Sequence, residues 1–160
     1  MSAAASASVG RVRAALEAAG SPAAIVELAE TARSAEDAAR AVGCPLGAIV
    51  KSLVFAIDGR PVMALVAGDR RCDIAALPAA LSIAGKARRA DADLVREATG
   101  FAIGGVAPVG HALPVVVDAS LRRFAEVWAA AGHPFCVFRT TPEELLRLTG
   151  GREDTTIAIA

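Results

Sequence analysis

The first residue whose type and setting could do chemistry is Lys51, which stands inside the almost continuously apolar segment of residues 48–57. In an extended strand its side chain projects on the same face as those of Ile49 and Leu53, because alternate residues share a face. A buried ammonium without a partner is costly, so an interior Lys51 would need an anion such as a carboxylate or a ligand phosphate. The alternative is a lysine at the edge of the sheet, with its stem packed and its ammonium in water.

A second candidate is the segment of residues 104–111, whose chemistry-bearing members are Gly104, Gly105, Pro108, Gly110 and His111. Such a loop leaves its backbone amides unshielded, so it could offer two N–H groups to a carbonyl oxygen or a phosphate. Its residue order matches neither a P-loop nor a dinucleotide-binding fingerprint, and a plain turn is the competing interpretation. The histidine could act as a general base beside the loop or be a structural residue.

The three cysteines, Cys44, Cys72 and Cys136, offer no comparable site. They are far apart in the sequence, form no C-x-x-C pair and are accompanied by only two histidines. Neither a disulfide framework nor a zinc site is therefore expected, and the sequence predicts no metal and no cofactor. Cys136 stands in an apolar segment, where a buried and unreactive thiol is the usual state.

The composition bounds the remaining classes of protein. A chain of 160 residues with 17 basic and 17 acidic side chains predicts a single domain over residues 1–160 without an extended nucleic-acid groove, although a small local contact to RNA stays open. No run approaches the roughly 18 to 20 apolar residues that cross a membrane. Residues 1–7 are interpreted as a frayed leader rather than a secretory signal, so a cytoplasmic location is expected.

Apolar periodicity and turn residues predict the elements that must position these candidates. The predicted helices cover residues 8–19, 34–43, 73–81 and 91–99 and a last segment from residue 140, and the predicted strands cover residues 24–28, 48–57, 61–67, 101–103, 113–117, 127–130 and 134–138. Asp58 and Gly59 predict a tight hairpin turn, and Gly132 is expected to join the last two strands. The pairs Arg70–Arg71 and Arg88–Arg89 are interpreted as solvated faces, although either pair could meet an RNA backbone. The mixture favours an α/β or α+β domain with a mixed sheet.

Lys51 and Ser52 in a strand, followed by residues 82–96 and then by residues 99–111, resemble the YbaK/prolyl-tRNA synthetase-associated domain family. The most specific part is the pattern Thr-Gly-(x)3-Gly-Gly-x-x-Pro-x-Gly, which begins at Thr99. The similarity extends from about residue 8 to residue 150. It implies an α/β (α+β) single domain in which a barrel-like mixed β-sheet is flanked by helices.

The resemblance implies an aminoacyl-tRNA editing hydrolase that acts in trans, cleaving the ester between a wrong amino acid and the 3′-terminal adenosine of a tRNA, often tRNA(Pro), without a metal. Lys51 would then contact the terminal nucleotide near the ester. The amides around Gly104, Gly105 and Gly110 would hold the ester carbonyl, and Pro108 would fix the loop. Ser52 would have a supporting role in substrate choice. The implied partners are the tRNA acceptor end and a synthetase such as prolyl-tRNA synthetase.

The strand after the first helix bears on specificity. Cys-specific members of the family tend to carry a Tyr or His there, whereas this chain has residues 25–28, Ile-Val-Glu-Leu, and contains no Tyr. The pattern therefore resembles the freestanding relatives that clear Ala, Ser or Thr. The alternative function is a noncatalytic module that holds an aminoacyl-adenosine or another nucleotide-like ligand, or docks on a synthetase, without turnover.

Overall fold

A curled, mixed β-sheet flanked by helices forms the centre of the computed structural model, which describes residues 2–160 apart from the side chain of residue 4. The strands are β1 (Ile25–Glu27), β2 (Ile49–Ile57), β3 (Arg60–Ala67), β4 (Arg71–Cys72), β5 (Ala87–Arg89), β6 (Val115–Asp118), β7 (Val127–His133), β8 (Cys136–Thr140), β9 (Arg152–Asp154) and β10 (Ala158–Ile159). The α-helices are α1 (Ala3–Ala18), α2 (Ala35–Val42), α3 (Leu77–Leu81), α4 (Ala92–Thr99) and α5 (Pro142–Thr149), and short 3₁₀ helices cover Leu46–Ala48, Ile74–Ala76 and Ala119–Arg123.

The strand order in the main sheet is β1-β8-β7-β2-β3-β6-β9, and β5 adds to β2. Pairs β1/β8, β7/β8, β2/β3 and β2/β5 are antiparallel. Pairs β2/β7, β3/β6 and β6/β9 are parallel. Strands β4 and β10 form a separate two-stranded sheet. The predicted mixed sheet flanked by helices is thus confirmed.

Strand β2 organises the site because one of its edges is only partly paired. One edge pairs with β3 at residues 50–57, through a two-residue turn in which Asp58 and Gly59 both have positive φ, as hairpin turns of this type require. Its other edge pairs with β7 at Ile49 and Val50 and with β5 at residues 55–57. Among the described residues, no strand pairs with residues 51–54 on that edge, which leaves a gap in the sheet.

Apolar side chains pack on both faces of the sheet, because alternate strand residues point to opposite faces. Val54 belongs to the larger cluster, which includes Val12 of α1 and Leu145 of α5. Phe55 belongs to the second cluster, on the opposite face, together with Leu77 of α3. The sheet is therefore covered on both sides, and the position of β2 is fixed by packing from each.

Polar side chains cap the N-termini of three of the predicted helices. Ser34 and Asp91 each accept a hydrogen bond from a backbone N–H three residues later, at 3.1 and 2.8 Å, and Thr141 does the same at 3.1 Å. Gly43 and Gly100 end the first two of these helices in the left-handed conformation, which glycine adopts without strain. Helices α2, α4 and α5 are thus confirmed.

Two predictions near the start and middle of the chain are wrong. Residues 3–7 are not frayed but form the first turns of α1, whose N-cap is Ser2; Met1 lies outside the described residues. Residues 101–103 are not a strand. Phe101 is fully buried, its N–H donates to the Thr99 hydroxyl at 3.0 Å, and the Arg11 guanidinium lies 4.4 Å from its ring centroid. Its buried side chain fixes the chain that follows α4 to the core, and residue 101 does not pair in a strand.

Smaller differences follow from local chemistry. Residues 73–81 divide into a 3₁₀ helix and α3, with Pro78 in the first turn of α3. Gly132 lies inside β7, and the last hairpin turns at residues 134–135 instead. Arg88 and Arg89 belong to strand β5. Strands β4, β9 and β10 have two or three residues each, which is too short for an alternation of apolar and polar residues to be recognised.

Candidate active-site cleft

A cleft of about 410 Å³ opens at the gap in β2, within the size range of small-molecule sites. Its walls are α2 and the residues before it, the end of β5, the loop of residues 104–111 (the glycine loop) and the hairpin of β7 and β8. Of the residues predicted to form a site, the cleft brings together Lys51, Ser52 and Gly104. Their meeting follows from topology, since the glycine loop runs past the unpaired edge of β2.

Lys51 is half-buried. It is therefore neither fully interior nor a lysine at the sheet edge with its ammonium in water, the two alternatives that the sequence allowed. Its ammonium donates a hydrogen bond to the backbone carbonyl of Arg70. Burial lowers the pKa of Lys51 from its ordinary value, and the negative charges of Glu36, Asp69 and Asp118 oppose that shift. The cleft thus holds a cation that burial has partly stripped of water, and such a cation interacts strongly with an anionic ligand.

The hydroxyl of Ser52 is buried and makes no hydrogen bond to the described residues. Buried polar groups are almost always paired, so an orphaned hydroxyl beside a cleft calls for an explanation. Ser52 lines the cleft and belongs to the unpaired part of β2. A ligand in the cleft would supply the missing partner.

The glycine loop contributes differently from what its sequence suggested. Gly104 lines the cleft and has φ of +99°. Gly105 does not line it, and its N–H donates to the carbonyl of Ala102 at 3.2 Å. The amide of Gly105 is thus already used in the turn. Among the described residues, the amides of Gly104 and Val106 have no acceptor, and both residues line the cleft.

The rest of the predicted loop lies elsewhere. Pro108, Gly110 and His111 line a second cavity, of about 480 Å³, beside Ala15 and Leu148 of α1 and α5. None of the three lines the cleft that holds Lys51. The structure therefore does not bring these residues, expected to bind substrate, to the lysine.

His111 has a structural setting. Its Nε2 donates to the carbonyl of Pro108 at 3.0 Å, and its Nδ1 accepts from the N–H of Leu113 at 3.1 Å. Since an Nδ1 that accepts carries no proton, these contacts require a neutral ring. Burial lowers the pKa of His111 from its ordinary value, which favours that same neutral form. The ring therefore braces the loop and is not a base at the cleft.

His133 is one of the cleft residues that the sequence did not identify, since it follows Gly132 at the expected link between the last two strands. It ends β7 and lines the cleft beside Pro134. Its Nδ1 accepts from the N–H of Phe135 at 3.1 Å, and the two rings stack with centroids 5.1 Å apart. Its Nε2 makes no hydrogen bond to the described residues, so this atom remains available to a ligand. Only the register of β7 with β8 could have placed this ring at the cleft.

Two further cations lie at the cleft. Arg33, before α2, and Arg89, at the end of β5, both line it. Neither forms an ion pair within the part of the chain that the structure describes. Strand β5 was expected to be a solvated face, but its pairing with β2 brings Arg89 to the site. The cleft is thus an apolar hollow with three cationic side chains, which suits an anionic ligand with an apolar part.

The thiols give no sign of reactivity. Cys136 lines the cleft, but burial raises its pKa, and burial raises the pKa of Cys72 to about 11. Both thiols therefore stay protonated near neutral pH, and it is the thiolate that attacks.

Within residues 2–160, no group of three or more His, Cys, Asp or Glu is placed to hold a metal ion. No described helix is long and apolar enough to span a membrane.

Comparison with known proteins gives a consistent result. Residues 29–148 match the family model of the aminoacyl-tRNA editing domain. The uncharacterized protein YwhH of Bacillus subtilis is 36% identical over 124 residues, which cover 76% of this chain and 78% of that protein. A proline–tRNA ligase of Desulfovibrio desulfuricans is 37% identical over 91 residues, 57% of this chain but only 16% of the ligase. A crystal structure of a proposed trans-editing enzyme for prolyl-tRNA synthetase superposes with a TM-score of 0.86 at 44% identity, covering 97% of each chain.

Proposed function

Because this chain belongs to the aminoacyl-tRNA editing domain family, we propose that it hydrolyses, in trans, the ester that joins a wrong amino acid to the 3′-terminal adenosine of a tRNA. The observation that carries the proposal is the meeting of Lys51, the unpartnered hydroxyl of Ser52 and the free amides of Gly104 and Val106 in one cleft. Such a cleft offers a cation, a hydroxyl and backbone donors to a ligand that carries a phosphate, a ribose and an ester.

The chemistry needs no covalent intermediate on the protein. A water molecule adds to the ester carbonyl carbon and gives up a proton as the carbonyl oxygen becomes an oxyanion. The oxyanion then re-forms the carbonyl, the bond to the ribose oxygen breaks, and that oxygen takes up the proton that the water released. The amides of Gly104 and Val106 are suited to hold the oxyanion, a type of contact worth about 100- to 1000-fold in rate for each donor. Lys51 adds a positive charge beside the terminal nucleotide, and the bound geometry orients the water.

One wall of the cleft suits a small amino acid. Ala129 and Ala130 of β7 and Cys136 of β8 give this wall short side chains, whereas larger apolar side chains such as Phe55 and Trp128 line other parts of the cleft. A buried hydroxyl such as that of Ser52 can pair with a polar group on the amino acid or on the ribose. We therefore place Ala, Ser and Thr first among the amino acids removed, with His133 Nε2 as a further donor to the substrate.

The tRNA contact is expected to be small. The chain carries equal numbers of basic and acidic residues, so it lacks the charge excess of a protein that tracks a long duplex. Arg33 and Arg89 at the cleft can reach phosphates of the single-stranded acceptor end, where RNA recognition commonly concentrates. A cytoplasmic site of action follows from this substrate.

The tRNA identity is proposed from the relatives. The chain resembles a segment that makes up about one sixth of a proline–tRNA ligase and a structure described as serving prolyl-tRNA synthetase. We propose tRNA(Pro) carrying a wrong amino acid as the substrate, and prolyl-tRNA synthetase as the partner that produces it.

A panel of mischarged tRNAs tests the function. The protein is incubated with tRNA(Pro) esterified with Ala, Ser, Thr, Cys or Pro, and the loss of each ester is followed at protein concentrations above that of the tRNA. The proposal expects rapid loss for at least one of the small amino acids and none for Pro. Tight binding of aminoacyl-tRNA without ester loss at any protein concentration would replace the enzyme by a binding module.

A further inference from the structure

The turn that joins β3 to β4, residues 67–70, presents a carbonyl to the lysine of the cleft. The Lys51 ammonium donates to the Arg70 carbonyl at the end of this turn. The turn is closed by the N–H of Arg70, which donates to the Ala67 carbonyl at 2.9 Å, and the N–H of Gly68 donates to the Ile49 carbonyl of β2 at 2.8 Å. The place of the Lys51 ammonium therefore depends on where this turn is held.

The tip of the turn is held by an ion pair. Both carboxylate oxygens of Asp69 accept from the Arg123 guanidinium, at 2.9 and 2.8 Å. The Arg123 Nε donates to the carbonyl of Ser120 at 2.7 Å, and its guanidinium lies 5.0 Å from the ring centroid of Phe124. A two-pronged contact of this kind fixes orientation as well as distance. The 3₁₀ helix of residues 119–123 thus grips the turn from outside the cleft.

The same 3₁₀ helix also holds the start of the turn. Asp118 is 2% exposed. One of its carboxylate oxygens accepts from the N–H of Ala67 at 3.0 Å and from the Ser120 hydroxyl at 2.8 Å, and the other accepts from the N–H of Ser120 at 2.8 Å. A continuous set of hydrogen bonds therefore runs from a buried carboxylate through Arg123 and Asp69 to the turn and on to Lys51.

Close packing leaves the turn little room to move. A Cβ at Gly47 would lie 2.9 Å from an Asp69 carboxylate oxygen and 2.8 Å from the Phe124 ring, and one at Gly68 would overlap the carbonyl of Leu46. The turn is therefore wedged between the 3₁₀ helix before β2 and the one after β6. Interiors packed this tightly transmit a displacement rather than absorb it.

We propose that the Asp69–Arg123 ion pair positions Lys51 for the deacylation reaction, by holding the turn of residues 67–70 whose last carbonyl accepts the hydrogen bond of the Lys51 ammonium. The expected effect on the deacylation rate rests on the proposed function. The effect of the ion pair on the position of the Lys51 ammonium does not. Asp69 and Arg123 do not line the cleft, so they are positioning residues rather than catalytic ones.

The test compares Arg123→Met with Arg122→Met. The two arginines are neighbours with side chains 36% and 42% exposed, and both pair with carboxylates, but Arg122 pairs with Glu143 and Glu153 away from the turn. Under single-turnover conditions with mischarged tRNA, Arg123→Met is expected to lower the rate about 10- to 100-fold, as displacements of up to about 1 Å can do. Its affinity for uncharged tRNA should equal that of the wild type, Arg122→Met should keep the wild-type rate, and Arg123→Lys should recover part of the loss.

A second measurement does not depend on activity. The chain has two lysines, Lys51 and Lys86, so a protein labelled with ¹³Cε-lysine shows two signals, and Lys86→Arg identifies that of Lys51. An ammonium held by the Arg70 carbonyl gives two distinct Hε resonances at its ¹³Cε. These should merge in Arg123→Met and stay distinct in Arg122→Met.

The outcomes separate the two claims. If the wild type hydrolyses no mischarged tRNA, the proposed function fails and the NMR comparison alone decides the inference. Distinct Hε resonances together with a wild-type rate in Arg123→Met would overturn it. Equal rate losses in Arg122→Met and Arg123→Met would also overturn it, because the effect would then be a general one of the 3₁₀ helix.

Discussion

The backbone of Gly105 packs directly against the backbone of His133, so that a Cβ at Gly105 would lie 2.8 Å from both the nitrogen and the Cα of His133. This contact fastens the glycine loop to the end of β7. It is the reason that Gly104 and the His133 ring, 29 positions apart in the sequence, line the same cleft. Glycine is required at position 105 for a close approach of two chain segments, and not for its amide.

Gly105→Ala should therefore destabilise the fold, by about 1–3 kcal/mol, because the new methyl group has no space. Urea denaturation at neutral pH measures the change in the free energy of unfolding. The matched control is Gly10→Ala in α1, where a Cβ would meet nothing within 4 Å. That substitution should stabilise the protein by about 0.5–1 kcal/mol. A Gly105→Ala variant as stable as the wild type would show that the loop is not fastened at this point.

The partly buried ammonium of Lys51 should reduce the stability of the folded state. Burial lowers its pKa in the folded state from the ordinary value of 10.5, so the unfolded chain binds this proton more tightly. The resulting cost is fully present below the folded-state pKa and disappears as the pH rises through it towards the value in the unfolded chain. Lys51→Met should therefore raise the melting temperature at pH 7.

The control for this stability prediction is Lys86→Met, which changes the other lysine of the chain, an exposed residue. Its melting temperature should remain that of the wild type. If Lys51→Met melted at or below the wild-type temperature, the ammonium would be better solvated or better paired than its burial indicates.

The two histidines should behave in opposite ways in a deacylation assay. His111→Gln should keep the wild-type rate, because His111 braces a loop away from the cleft, whereas His133→Gln should lower it, because His133 lines the cleft. Both rates are measured under single-turnover conditions with the tRNA that the panel identifies. A loss in His111→Gln alone would place the reaction at the second cavity.

His111 also predicts a dependence of stability on pH. Burial lowers its pKa below the ordinary 6.5, so the unfolded chain takes up a proton before the folded one does. Stability should therefore fall as the pH is lowered from above about 6.5 towards the folded-state pKa. Urea denaturation at a series of pH values should show a smaller loss over this window in His111→Gln. An unchanged pH dependence would mean that the ring takes up its proton equally readily in the folded and unfolded chain.

Arg33 and Arg89 should act on tRNA affinity. Each unpaired cation that contacts a phosphate of a single strand contributes about 0.7 to the slope of log K against log salt concentration. Arg33→Gln and Arg89→Gln should each weaken binding of uncharged tRNA and lower that slope. Arg40→Gln is the control, because Arg40 is paired with Asp37 and does not line the cleft. Equal slopes in all three variants would show that neither Arg33 nor Arg89 contacts a phosphate.

Sequence reasoning recovered the elements whose signals are local. Helices α2, α4 and α5 begin at side chains that cap their own amides, and all three end at glycines. The β2/β3 hairpin is set by two turn residues. It failed where a residue's character reflects distant packing. Phe101 packs against Arg11 and Gly110, which are distant in the sequence. The pattern of residues next to Phe101 therefore cannot show why an apolar residue stands there.

The site was predictable only in part for the same reason. Lys51 is conspicuous because it interrupts an apolar strand. Gly104 stands out because it begins a loop with unshielded amides, and Ser52 follows from the resemblance. His133, Arg33 and Arg89 reach the cleft through the pairing of β7 and β5 with β2 and through the position of the segment before α2. Pro108, Gly110 and His111, which were expected to bind substrate, lie at the second cavity because the loop turns away after Val106 towards α1 and α5.

The role of Lys51 in deacylation is tested by the rate at which ester is lost from a mischarged tRNA in the presence of wild type, Lys51→Met and Lys86→Met, each in excess over the tRNA. Lys51→Met should lower the single-turnover rate by about 100-fold or more while remaining folded, and Lys86→Met should keep the wild-type rate. If Lys51→Met removed the amino acid as fast as the wild type, Lys51 would have no part in the reaction.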